Sequence, residues 1–165
     1  MGLIINKQIR QLMKGYPTVS DKYNVAGGIL AGNIDAHFGD LVKFSADAGY
    51  YEVINSTNTI AAKTEIAGLV LATNVKLATT YPGTSESVVT KPGEAFNLML
   101  DGFVAVELKD QATYNAVSAG VVVKVNTSGE FDTAGTLTIQ AKYTGIKEII
   151  DGKYFAEIQV VSFNF

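Results

Sequence analysis

The segment 92–108, PGEAFNLMLDGFVAVEL, restricts the architecture of this 165-residue chain more than any other stretch. Its aliphatic, aromatic and β-branched residues read as strand. They do not alternate with polar residues in the way a half-solvated strand requires. Read as a hairpin turning at Asp101-Gly102, the segment sets Leu100 opposite Phe103, Met99 opposite Val104 and Leu98 opposite Ala105. One face then carries Phe96, Leu98, Leu100, Phe103 and Ala105, and the other Ala95, Met99, Val104, Val106 and Leu108. A bulge at Asp101-Gly102 within one longer strand keeps both apolar faces but changes the pairing. One face fills a core; the second needs another sheet, a covering arm or another subunit. Met99, Val104, Val106 and Leu108 are therefore the candidate subunit-interface residues.

The remainder of the chain from Gly39 onward also reads as β. Strands are expected over 40–46, 50–55, 64–73, 86–90, 95–100, 103–108, 121–126, 136–143 and 154–163, separated by Gly, Asn, Asp and Pro. Gly68 falls inside an apolar strand, where glycine marks a bulge or a close backbone approach. Residues 110–120 have room for one helical turn. Before Gly39 the pattern changes. Ile5, Ile9, Leu12 and Met13 share one face of a helix over 3–14, and Gly15, Pro17 and Ser20 end it. Residues 15–34 read as an extended arm crossing its own domain or reaching a neighbour. The expected fold is mainly β: a single barrel or sandwich-like domain over 35–165, with an N-terminal arm over 1–34 that begins with a short helix.

Charge separates the two regions. Residues 1–34 hold four bases and one acid, whereas the rest holds nine bases and fifteen acids. Two readings stand: chance over a short segment, or a basic arm lying on an acidic partner. The overall charge of -3 gives no general attraction to nucleic acid, and no window is apolar for long enough to make a membrane helix. With no cysteine, disulfides and thiolate chemistry are excluded. The single histidine, His37, precedes a strand in DAHFGD and reads as a loop residue; no G-x-S-x-G elbow accompanies it. One His and no Cys argue against zinc, and no calcium loop is present. AGGILAG (26–32) lacks the Lys-Ser/Thr ending of a phosphate loop. Tyr50, Tyr51 and Phe44 have no interleaved bases with which to hold a nucleic acid. Neither an enzyme nor a cofactor is expected.

In order along the chain come GYPTVSDKYNVAGGI, AHFGDLVKF, TEIAGLVLAT, KPGEAFNLMLDGFVAVEL, VSAGVVVKVNTSGEF and KYFAEIQVV. The succession Phe38-Gly39-Asp40, Ala67-Gly68, Pro92 to Val106 and Ala156-Glu157 resembles the capsid cement, or head decoration, proteins of tailed bacteriophages, over about residues 15–161. The resemblance implies a β-barrel-like domain on the outer surface of the virion head, made in the host cytoplasm. It would bind major capsid protein and further copies of itself, often as a trimer, and clamp adjacent shell subunits. It also implies no nucleic-acid or membrane partner. The arm residues Ile5, Ile9, Arg10, Lys14 and Tyr16 are then the candidate shell-docking residues. Two other readings share the pattern: a head-fibre base or tail component, and a monomeric barrel binding a small ligand in an apolar interior.

Overall fold

The computed structural model describes residues 12, 14–15, 17–18, 23–71 and 89–163. Among the described residues, ten strands run in chain order: β1 (Tyr23–Leu30), β2 (Ala36–His37), β3 (Leu41–Phe44), β4 (Tyr50–Val53), β5 (Ile66–Val70), β6 (Val89–Thr90), β7 (Ala95–Leu108), β8 (Val122–Val125), β9 (Leu137–Ile150) and β10 (Lys153–Ser162). The α-helix α1 (Gln111–Ala116) begins at Asp110, whose carboxylate accepts the Thr113 N–H at 2.8 Å and so satisfies a free donor of its first turn.

A closed ring is formed by β1, β4, β3, β5 and β7. Neighbours pair in that order, and β7 closes the ring by pairing back onto β1. The mainly β expectation thus resolves to a five-stranded barrel. Its interior is filled by Leu30, Phe38, Val42, Val70, Phe96 and Leu98. The stretch 23–30, expected as extended arm, is a wall of this barrel: Tyr23–Ile29 pair with β7 and Ile29–Leu30 with β4. Its glycines permit close approach. At Gly28 a Cβ would lie 2.5 Å from the Tyr51 ring.

Beyond the barrel, β7 continues into a second sheet in the order β7-β10-β9-β8. This sheet packs on the outside of the barrel wall and encloses the larger core. Leu41, Leu69 and Met99 come from the barrel, and Val106, Ile139 and Ile158 from the sheet. Strand alternation explains the division. On β3, Leu41 enters the large core while its neighbour Val42 enters the barrel. On β5 all five residues are buried, because each face has its own core.

Of the two readings of 92–108, the structure adopts the bulge within one longer strand and not the hairpin. Residues 95–108 form one fourteen-residue strand. Asn24 pairs with Asp101 and Val25 with Met99, so Leu100 is an extra residue opposite the break, and Gly102 nearby takes φ 119°. A bulge shifts the side-chain alternation by one position. Met99 and Val104 therefore point the same way despite their odd and even numbers. The division into two faces survives: Phe96 and Leu98 face the barrel interior, while Met99, Val104, Val106 and Leu108 face the large core.

That placement also corrects the interface expectation. Met99, Val104 and Val106 have no exposed surface and Leu108 only 3%, so none of the four offers contact area to a second subunit. Burial of each such side chain within the monomer contributes about 1.5–3 kcal/mol.

Two substitutions test this packing. At Gly68 a Cβ would sit 2.6 Å from the Met99 carbonyl oxygen and 2.7 Å from Leu98 Cγ. Gly68→Ala is expected to destabilise the fold by about 1–3 kcal/mol, read as a lower thermal midpoint; an unchanged midpoint would contradict the close approach of β5 to β7. Tyr143 is the opposite case. Its hydroxyl is buried in the large core with no hydrogen-bond partner among the described residues, and burial pushes the phenol well above its usual range. Removing an unsatisfied hydroxyl relieves a desolvation cost. Tyr143→Phe is expected to gain about 1 kcal/mol, or about 2–4 °C in midpoint.

Candidate interaction surface

Of the expected arm residues, Ile5, Ile9, Arg10 and Tyr16 lie outside the described residues, as does most of the 3–14 helix. Leu12 is not helical and Lys14 lies in a turn. Lys14 is held inward, with Nζ 2.8 Å from Asp40 Oδ1. Gly15 donates its N–H to the Ala105 carbonyl at 2.9 Å and Thr18 to that of Phe103 at 3.0 Å, and Pro17 bridges to Val104. These bonds continue along the edge of β7 that β1 occupies farther on. Gly15 adopts φ 75° against Phe38 and Gly39, where a Cβ would meet Gly39 N at 2.5 Å. The arm base is thus a clasp on its own domain.

Asp40 is the hub of that clasp. Its Oδ2 accepts the backbone N–H of His37 at 2.8 Å and lies 3.5 Å from His37 Nδ1, while Oδ1 takes Lys14. Burial alone would raise the Asp40 pKa. The hydrogen bond from His37 and the charge of Lys14 outweigh burial and hold the carboxyl below its usual range. The hydrogen bond to Asp40 in turn raises His37, against partial burial. A raised histidine stabilises the fold below its unfolded pKa, and that contribution disappears as pH rises through the folded value. A lowered carboxyl stabilises above its unfolded pKa and is lost as pH falls through the folded value. The clasp is therefore strongest between the ordinary carboxylate and histidine ranges, at about pH 5–6. The midpoint difference between the native chain and His37→Asn is expected to be largest there and to shrink toward pH 8. A pH-independent difference would mean that His37 acts only through packing.

This corner borders the rim of a cleft of about 380 Å³ that also includes Glu107, Lys109, Ser128 and Glu130. The lining mixes both charges. Among the described residues, no hydroxyl hydrogen-bonds to His37, and no three metal-ligating side chains come together. His37 belongs to a structural turn, and the cleft holds no nucleophile–base pair that could run a reaction.

Exposed apolar side chains are the more informative surface. Val161 is 67% exposed, Ile146 55% and Ile149 52%. The two isoleucines stand near the tip of the β9–β10 hairpin, whose turn residues Asp151 and Gly152 both have positive φ, 51° and 78°. Phe44 and Tyr50 are also exposed beside the β3–β4 turn, Phe44 with its ring 5.8 Å from that of its cross-strand partner Tyr51. The sequence reading singled out neither isoleucine. The signal was there: Asp-Gly flanked by Ile149, Ile150 and Tyr154 is a strong type I′ hairpin pattern, and the strands expected at 136–143 and 154–163 left it in a gap.

A barrel with a filled interior and exposed apolar side chains near the tip of a long hairpin define a β protein with a surface open to contact. The comparisons agree. A family model described as XM1 gp53 minor capsid protein matches residues 4–160, and the chain belongs to that family of capsid-associated structural proteins. No curated protein matches the sequence. Among solved structures, a chain in the capsid of Myoviridae phage XM1 is similar in fold. It is 16% identical, has a TM-score of 0.59, and the alignment covers 99% of this chain and 97% of that one.

Proposed function

We propose that the protein is a cement, or decoration, component that binds the outer surface of the assembled phage head and ties neighbouring major capsid subunits together. The observation that carries this reading is membership of a minor capsid protein family over residues 4–160. A protein that bridges subunits gains binding free energy only from the assembled shell, which it thereby stabilises. Several modest contacts arranged by symmetry act together as one strong attachment. The exposed Ile146 and Ile149 supply an apolar anchor on a projecting hairpin. Self-association as a trimer is carried over from the resemblance. Its contacts must fall outside Met99, Val104, Val106 and Leu108, since these are core.

The small-ligand reading is disfavoured by the barrel interior, where Phe38, Phe96 and Leu98 pack against one another rather than around a space.

Co-sedimentation with purified heads of the cognate phage tests the proposal. The native chain is expected to pellet with intact shells and to raise their disruption temperature. Ile146→Asp combined with Ile149→Asp is expected to weaken retention by about tenfold or more with the thermal midpoint of the free protein little changed. A native chain that stays in the supernatant beside intact shells refutes the decoration role.

A further inference from the structure

We infer that the open edge of β1 over residues 23–28 receives an extended, uncharged segment of a neighbouring shell subunit as an added strand. This rests on the decoration reading and names the surface and the chemistry of its partner. In an antiparallel pair, successive residues turn their N–H and C=O groups alternately toward and away from the partner strand. Leu30 donates its N–H to the Glu94 carbonyl at 3.0 Å, so the even-numbered Ala26 and Gly28 face β7, opposite Leu98 and Phe96. The odd-numbered residues face the other edge. There Ile29 donates to the Gly49 carbonyl at 3.1 Å, and Ala31 to that of Tyr51 at 2.7 Å. β4 starts only at Tyr50, and its pairing with β1 is confined to Ile29 and Leu30. Val25 and Gly27 turn their main-chain groups the same way and meet no backbone partner among the described residues. The seam between β1 and β4 is thus open for about 20 Å.

Exposed sheet edges are ordinarily blunted by charge or proline. The sequence YNVAGGIL carries neither, and its one irregularity is the register break between Asn24 and Val25. The outward face beside the edge is apolar: Val25 is 43% exposed, Tyr50 39%, and Ile29 is half-buried. Gly27 is exposed, and a Cβ placed there would meet nothing within 4 Å. Glycine inside a strand often marks a place where another backbone comes close.

Two arguments select the occupant. Bare N–H and C=O groups recognise extended main chain, and a charged side chain set beside Val25, Ile29 and Tyr50 would lose water without gaining a counter-charge. The edge is about 20 Å long and a strand about 10 Å deep, which gives on the order of 200 Å². A second copy held by this edge alone would need about 800 Å² per partner. So small a contact suits a flexible segment whose parent subunit is already held elsewhere, at the β9–β10 hairpin.

Amide hydrogen exchange of the full-length chain, free and bound to purified heads of the cognate phage, is the test. In the free chain the Val25 and Gly27 amides are expected to exchange about tenfold or more faster than those of Ala26 and Gly28. On heads, exchange over 23–28 is expected to slow by about tenfold. Gly27→Pro deletes a donor on the open edge and is expected to weaken retention on heads about tenfold. Gly27→Ala keeps the donor, fits the free space and is expected to bind as the native chain does. Should Gly27→Pro fail to fold, the exchange measurement on the native chain decides alone. Protection of Val25 and Gly27 in the free monomer would give the edge to the chain's own residues, and protection that grows with protein concentration would give it to a second copy. Either result overturns the inference. Binding to heads with no added protection over 23–28 overturns it and leaves the decoration role standing, whereas a chain that does not pellet with heads refutes both.

Discussion

The structure depends on a single strand that is enclosed on every side. Along one edge, β7 bonds to β1 through its first half and to the arm base at Gly15 and Thr18 farther on. Along the other it bonds first to β5 and then to β10. Its two faces supply two cores, the barrel interior and the larger space between barrel and sheet. Backbone groups at such depth have no water to bond with, so the continuous pairing on both edges is what permits the burial. Removing either neighbour would leave both polar backbone groups and an apolar face exposed. The remaining elements either wall in β7 or wall in its neighbours.

The bulge near Leu100 reconciles the two cores. A regular strand of fourteen residues would keep the same alternation throughout, and Met99 and Val104 would then face opposite ways. Inserting one residue shifts the alternation where the barrel gives way to the open sheet. Gly102, at φ 119°, lies at that junction. From there β10 takes over pairing from β5, and Phe163 N–H reaches the Leu100 carbonyl at 3.1 Å. Bulges bend the strand that carries them, and here the bend lies where one strand must serve two curvatures.

Most strands, the helical turn near Asp110 and both apolar faces of β7 were legible in the sequence because each rests on local alternation or capping. Pairing was not, and the two Asp-Gly dipeptides show why. A two-residue turn and a one-residue bulge shift side-chain alternation in the same way, so apolar pattern cannot separate them. Asp101-Gly102 was left open between a hairpin turn and a bulge and proves to be a bulge within a strand; Asp151-Gly152 is the hairpin. The difference is tertiary: both edges of the first strand meet partners distant in sequence. The arm suffered likewise. Residues 15–34 read as an extended arm, whereas 23–30 form a barrel strand in which Gly28 packs closely against Tyr51. The Lys14–Asp40 ion pair joins residues 26 positions apart, a relation that no local pattern encodes.

The second apolar face began as a reason to expect a subunit interface, and its satisfaction within the monomer changes how assembly has to work. A chain that completes its own cores can fold before it meets a shell and remain folded alone. Its attachment then cannot draw on a large apolar interface of the obligate kind. Under the proposed decoration role, the exposed apolar features among the described residues, such as the β9–β10 hairpin, would make the contacts, repeated at symmetry-related sites. Such attachment is sensitive to spacing, because separate contacts cooperate only when the underlying subunits stand the right distance apart. A decoration component built this way would discriminate between shell states by geometry and stabilise the one it fits.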